Sequence, residues 1–411
     1  MKRIVHLISL LLFTASLQMT AQPAWTNYSL GNSQIAADQI HCILLQNDST
    51  AWIGTDYGLS KLVNGVFTNY YTGNSNIPAN SIRSLAIDSN QTLWVGTFSN
   101  GFASFDGTNW TGYNTQNSPL PDDFVRSMAI DTLGDKWLGT TGGLAKWDSL
   151  NNWTIYTMWN SVMGSNNIAC IYVDTLTNNK WVGTVNGGLL LIEKDTNLTS
   201  YTVQTSGISD NTILSIDMDS LNNVQLASPA NGLIVKLSGF GWFTYNLASS
   251  TIPTAGLTSL KNDSIDQPWI GTFDKGLLYK NGSNFIMYDT SNSPLDDEHV
   301  TFVTIDRFGK VWIGTETKGL YILDPALLTG LSEAGLTTNV TVYPNPVQDE
   351  LHYIAGAAPH RVEILDLNGK MVAASADPKE AINTSRLSAG IYQVKFCFEN
   401  GSVAIRKMIK Q

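Results

Sequence analysis

The sequence predicts an all-β protein in two parts: a seven-bladed β-propeller of four-stranded blades closed by its N-terminal strand, and a small C-terminal Ig-like β-sandwich. Three observations carry that expectation. The run Trp52-Ile53-Gly54-Thr55 returns at Trp94, Trp137, Trp181, Trp269 and Trp312, with a worn copy at Gln225-Leu226-Ala227-Ser228, in steps of 42, 43, 44, 44, 44 and 43 residues. A fixed period of that length, with short apolar runs and turn residues inside it, marks a propeller or solenoid in which each repeat is one supersecondary unit. Each period holds four short runs, and the first and last periods are complementary fragments.

In chain order, the first segment reads as an export signal. Lys2-Arg3 precede an apolar run from Ile4 to about Leu17, and small residues lead to Ala21. Such a segment is removed and is not counted as structure. The run is shorter than the ~20 apolar residues needed to span a bilayer, and no later stretch is long enough, so no transmembrane anchor is expected. The expected division is 1–21 signal peptide, 22–325 propeller, 326–338 linker and 339–411 sandwich.

The second repeat sets the pattern. Ile82 to Asp88 is strand A, Leu93 to Thr97 strand B, Gly101 to Phe105 strand C, and Trp110 to Tyr113 strand D, joined by turns rich in Asn, Asp and Gly. Strand A recurs from Ile40, Val125, Ile168, Ile213, Leu257 and Val300. Strand D recurs as an aromatic or Leu three residues before Tyr, from Trp25-Tyr28 to Phe285-Tyr288.

The phase predicts closure. A lone strand D, Trp25 to Tyr28, opens the chain, and the repeats end on A, B and C from Val300 to Leu323. Pairing the first strand with the last C strand closes a ring and removes an exposed edge.

The repeated columns read as packing. Ten of the twelve Trp lie in the B or D columns, so they are expected to fill inter-blade space rather than contact a ligand. The Gly two residues after the B-strand Trp removes a side chain where a neighbour must come close. Asp88, Asp131, Asp174, Asp219, Asp263 and Asp306 end strand A, where an Asp side chain bonds nearby backbone N–H groups of a tight turn.

Composition narrows function. Residues 22–338 carry 14 Lys+Arg and 27 Asp+Glu, a net of −13, which argues against nucleic acid as a partner. No H-E-x-x-H, G-x-S-x-G, phosphate loop or Cys/His metal spacing occurs, so neither a cofactor nor a metal is expected. Cys42 and Cys170 fall in blades three apart, too distant to be bridged, and are expected to be free.

The B-to-C and D-to-A turns share one rim, and the variable rim residues are Tyr57, Phe98, Asn100, Asn186, Asn231, Phe273, Lys275 and Lys318. Aromatics beside Asn suit sugar faces and hydroxyls, or a protein loop. A secreted or surface-held binding module for a glycan or protein is the first reading. The alternative is a polysaccharide-acting hydrolase or lyase on the propeller, with Asp122, Asp123 or Asp297 in acid/base roles.

An Ile-rich strand ending in Asp88, the run Trp94 to Thr97, Gly143-Leu144 and Asn117-Ser118-Pro119-Leu120 together resemble the two-component-regulator propeller repeats, over residues 25 to about 324. That resemblance implies an extracytoplasmic propeller of a kind found in glycan-sensing histidine kinases. From this sequence one ring is expected, without a membrane helix or a kinase.

Tyr343-Pro344-Asn345-Pro346, Asp366-Leu367-Asn368-Gly369-Lys370, Leu387-Ser388-Ala389-Gly390-Ile391-Tyr392 and Lys407-Met408-Ile409-Lys410 resemble the C-terminal sorting domain of type IX secretion. The resemblance implies a secreted or surface-attached protein whose tail is a partner of the outer-membrane secretion machinery.

Overall fold

The computed structural model describes residues 24–328, 340–355, 358–366, 371–375, 381–398 and 403–410. The expected signal peptide, most of the expected linker, and the turns at Asn368-Gly369 and Asn400-Gly401 lie outside the described residues. The chain divides into two compact units, with the break after Leu327.

Among the described residues of the first unit, seven antiparallel sheets have four strands each. Blade 1 consists of Ile40–Leu45, Thr50–Thr55, Gly58–Val63 and Val66–Tyr70, and the later blades repeat this A-B-C-D meander. Blade 7 is composite: its A, B and C strands are Val300–Ile305, Val311–Thr315 and Leu320–Leu323, and its fourth is Trp25–Tyr28. That first strand pairs antiparallel with the last, Trp25 opposite Leu323 and Tyr28 opposite Leu320. Asp324 N–H donates to Ala24 O at 2.7 Å, and Asn27 Nδ2 donates to Lys318 O at 3.0 Å.

The A strands run side by side from blade to blade, and the seventh lies against the first, where Thr301 Oγ1 donates to Ile40 O at 2.5 Å. Ile40 and Leu320 share one apolar cluster across that seam. On the B-to-C rim, glycine N–H groups link four turns to the following D-to-A loop: Gly101 to Asp123 O, Gly188 to Asn211 O, Gly232 to Ala255 O and Gly276 to Glu298 O. Gly319 makes the same bond to Asp38 O across the closure, at 2.9 Å. Its φ of +81° and the Tyr28 carbonyl, 2.2 Å from where a Cβ would stand, both require glycine there.

The Trp column packs each blade on the next. Trp94 stacks on Tyr113 of its own blade and meets Trp147 of blade 3 edge-on at 5.6 Å. Two residues on, a Cβ on Gly96 would lie 2.2 Å from Ser84 Oγ and 2.8 Å from Val125 O of blade 3, so the glycine lets a neighbouring backbone approach. The Asp column does two jobs. Asp88 Oδ1 accepts the N–H groups of Asn90 and Thr92, and its Oδ2 accepts Trp94 Nε1 at 3.0 Å. Asp131 and Asp306 hold Trp137 and Trp312 in the same way, and Gln46 takes this place in blade 1.

Blade 5 departs from the expectation at one end. Its strand A is Ser215–Met218, two residues shorter at the start than Ile213 predicts, because Ile213 N–H donates to Thr184 O of blade 4. The worn copy is nonetheless a full strand B, Val224–Ser228. Cys42 and Cys170 are free thiols, and burial pushes each up to about 12.

In the second unit, a sheet of Val340–Tyr343, Glu350–Ala355 and Ala381–Asn383 accompanies a four-stranded sheet of Met371–Ser375, Arg361–Leu365, Gly390–Cys397 and Val403–Lys410. Val340, Leu351 and Ile382 of the first sheet share a buried core with Val362, Ile364, Val394, Phe396 and Met408 of the second. This is the alternation expected of two sheets packed face to face.

Candidate functional site

Six of the seven A strands carry a β-bulge between their first and third residues. The extra residue re-aims the strand end. These second-position residues, His41, Arg83, Arg126, Ala169, Thr258 and Thr301, together with Leu214 of blade 5, line a cavity of about 730 Å³ along the ring of A strands. Residues of the B-to-C and D-to-A turns complete its mouth: Gln39, Phe98, Phe124, Phe273, His299 and Glu316. Its far end reaches Tyr172, Asp217, Lys261 and Thr304.

The mouth is polar on one arc and aromatic on another. Asp56 Oδ1 accepts from His41 Nε2 at 2.8 Å, Ser81 Oγ at 2.8 Å and Arg83 Nη2 at 3.2 Å. Arg83 Nη1 lies 2.9 Å from His41 Nδ1, so the neutral Nε2–H tautomer satisfies both ring nitrogens. Burial, then the Arg83 charge, hold His41 below its ordinary range. Burial pushes Asp56 up, but the Ser81 and His41 hydrogen bonds and the Arg83 charge outweigh it and leave the carboxyl low. Arg83 also stacks over Phe98 at 5.1 Å, and Phe98 meets Phe124 at 4.7 Å. Phe273 packs on His299 at 5.1 Å. Gln39 Nε2 donates to Glu316 Oε1 at 2.6 Å.

Of the rim residues expected from sequence, Phe98 and Phe273 stand at this mouth, and the other six do not line the cavity. Tyr57 is 72% exposed. Asn100 and Asn186 occupy left-handed backbone positions, with φ of 74° and 63°, and bond Pro78 O and Thr212. Asn231, Lys275 and Lys318 donate backbone N–H groups to Ser228, Thr272 and Thr315 inside their turns, and Lys318 Nζ pairs with Asp296 at 3.2 Å. The carboxylates of the enzymatic alternative tie down loops: Asp122 accepts Phe124 N–H, Asp123 accepts Thr115 N–H, and Asp297 accepts the N–H groups of His299 and Thr317.

Sequence reading missed His41, Arg83 and Arg126. The available signal was the second position of strand A, whose identity changes from blade to blade while its neighbours hold to Ile, Leu or Val before it and mostly Ser or Cys after it.

One carboxylate cluster could suggest a metal. Asp131, Asp135 and Asp195 bring oxygens within 4.8 Å of one another. Two ammonium groups already fill that space: Lys180 Nζ lies 2.9 Å from Asp131 and 2.5 Å from Asp195, and Lys146 Nζ lies 2.9 Å from Asp135 and 2.5 Å from Asp195. Both lysines also face the Trp137 ring. The protein's own two cations thus occupy the donor set and offset two of its three negative charges. A second cavity, about 400 Å³, lies at the seam of blades 7 and 1 on the opposite rim, beside Asp48, Phe308 and Trp312.

A closed ring of four-stranded blades with a lined axial cavity defines the class: a β-propeller. Comparison with known proteins refines it. Residues 76–99 match the two component regulator propeller family, and residues 341–411 match the secretion system C-terminal sorting domain. The chain therefore joins a β-propeller, one repeat of which matches that family, to a sorting tail, which places it outside the cell or on its surface and gives it the secretion machinery as a partner. No helix among the described residues is long and apolar enough to cross a membrane.

No curated protein matches the chain. Among solved structures it is similar to the extracellular domain of a B. thetaiotaomicron protein described as a hybrid two component system, with 19% identity and a TM-score of 0.66 over 95% of this chain and 57% of that one. It is also similar to PorZ, a surface component of the type-IX secretion system of Porphyromonas gingivalis, with 15% identity and a TM-score of 0.57 over 93% and 61%. The virginiamycin B lyase of Staphylococcus aureus shares 14% identity and a TM-score of 0.59 over 73% of this chain and 98% of its own. The chain thus spans about three-fifths of the first two proteins, and at these identities the likeness is one of fold.

Proposed function

We propose that this exported propeller is a binding module that takes a glycan or protein ligand into the mouth of its axial cavity, on the rim formed by the B-to-C and D-to-A turns. The observation that carries the reading is the convergence there of Phe98, Phe124 and Phe273 with the polar side chains of Gln39, His41, Arg83, Arg126 and Glu316 around one recess of about 730 Å³. Concave sites with aromatic walls and a few placed polar groups are where ligands bind. The carboxylates Asp122, Asp123 and Asp297 are engaged by loop backbone, which favours binding over acid/base catalysis as their role.

The test is a glycan and peptide array screen of the mature chain with Phe98→Ala and Phe273→Ala, using Phe308→Ala on the opposite rim as control. Loss of signal in the two mouth variants alone supports the reading. Loss in Phe308→Ala with the mouth variants intact contradicts it.

A further inference from the structure

Resting on that reading, we propose that Arg126, with Arg83 beside it, is a carboxylate subsite and that the ligand is an acidic glycan presenting a uronic acid unit to the cavity. Between residues 22 and 338 the chain has three arginines, Arg83, Arg126 and Arg307, against an excess of acidic residues. Two of the three occupy the same second position of strand A in adjacent blades, and both line the cavity. Arg83 has a counter-charge in Asp56. No ion pair joins Arg126 to a carboxylate among the described residues, and Arg83 Nε is buried with no acceptor. Asp56 offsets the Arg83 charge, so the Arg126 guanidinium is left without an ion-pair partner among the described residues on a partly desolvated wall, where an anion is bound far more strongly than in bulk water.

The facing arc asks for donors. The acceptor on that arc is the Glu316 carboxylate, whereas the Thr258 and Thr301 hydroxyls are turned to Val300 O and Ile40 O of the next blade. A ligand matched to both arcs carries one planar anion and a hydroxyl donor for Glu316. A peptide C-terminus supplies the anion with few donors, a neutral sugar supplies donors without the anion, and a dianionic phosphate would meet Glu316. A sugar acid supplies both, and the C–H faces of its ring suit the Phe98–Phe124 pair.

The experiment measures calorimetric affinity of the mature chain for homotrimers of galacturonate, glucuronate and mannuronate, for their carboxyl-reduced forms, and for acetate at equal ionic strength. Arg126→Gln, Phe98→Ala and Arg307→Gln are compared after matching their thermal midpoints to the parent. At least one uronate trimer is expected to bind, with its reduced form weaker. Arg126→Gln should weaken the acid roughly ten- to hundred-fold, the loss of a charge-assisted hydrogen bond, and leave the reduced form unchanged. Binding that is equal for acid and reduced forms, or untouched by Arg126→Gln, overturns the carboxylate subsite, and so does binding by none of the three. Acetate binding as tightly as the trimers overturns the sugar. If Phe98→Ala weakens every trimer while Arg126→Gln does not, the cavity reading stands without the carboxylate. If neither variant changes binding that is nonetheless measured, the cavity reading falls as well.

Discussion

Deleting residues 22–30 removes the fourth strand of blade 7 and tests ring closure. The strand contributes four antiparallel residue pairs with Leu320–Leu323 and the Ala24 O and Asn27 bonds at its two ends. At about 1 kcal/mol net for each hydrogen bond, the ladder and end bonds amount to roughly 4 to 6 kcal/mol. Trp25 packs edge-on against Tyr288 and Tyr321 at 6.0 and 6.4 Å and is half-buried, so losing it costs about 2 kcal/mol more, below the ~3–5 kcal/mol of a fully buried Trp. A loss of roughly 6 to 8 kcal/mol is comparable with the whole stability of many domains. The deletion also leaves Leu320–Leu323 as an unpaired edge, which invites association. The assay is urea denaturation followed by circular dichroism, with light scattering for association and a synthetic peptide of residues 24–30 added in trans. A large fall in midpoint, partly restored by the peptide, is expected. An unchanged midpoint with no response to the peptide would refute the closure.

Gly96→Ala places a Cβ against Ser84 Oγ and Val125 O, and should cost about 1 to 3 kcal/mol in urea denaturation. Gly112→Ala, with nothing within 4 Å of its Cβ, should change stability by less than about 0.5 kcal/mol, and equal effects would show that the inter-blade approach is not what selects Gly96. Lys180→Met leaves the buried Asp131 and its neighbour Asp195 short of one ammonium, at a cost of about 3 to 5 kcal/mol that Asp131→Asn added to it should partly recover. Burial pushes Asp131 and Asp195 up, but the lysine hydrogen bonds outweigh it and hold both folded-state values low. The unfolded chain therefore takes up protons first: their contribution is full above about pH 4 and is lost as pH falls through the depressed values. Thermal midpoints of the parent should fall more steeply than those of Lys180→Met on acidification, and parallel curves would discount the network.

The fold was legible because its packing unit is large and repeated. A strand-B Trp in six of the seven blades, a glycine two residues on and, in blades 2, 3 and 7, an Asp six residues before that bonds the Trp form one physical assembly, so most periods announce the same inter-blade packing. Blade 5 shows how far this reaches: without Trp, Gln225 to Ser228 still forms strand B, and the surrounding A, C and D runs locate it. The start of its strand A was less legible, since the Ile213 amide bonds the neighbouring blade and no local pattern reports that. The cavity was harder still. Its walls come from one residue per repeat, some forty positions apart, and His41, Arg83 and Arg126 join only when the ring closes. Asn100 and Asn186 drew notice as variable rim residues, yet their left-handed backbone gives each a turn-forming reason to be Asn. Phe98 and Phe273 lie on the same turns and do reach the cavity, a distinction set by side-chain direction that sequence spacing does not carry.

Hydrogen–deuterium exchange with the strongest array ligand tests the location of binding most directly. The account predicts slowed exchange in the segments around Gln39–His41, Ser81–Arg83, Phe98, Phe124–Arg126 and His299–Thr301, with the A-to-B turns of the opposite rim unchanged. Protection confined to the opposite rim, around Asp48 and Phe308, would contradict it.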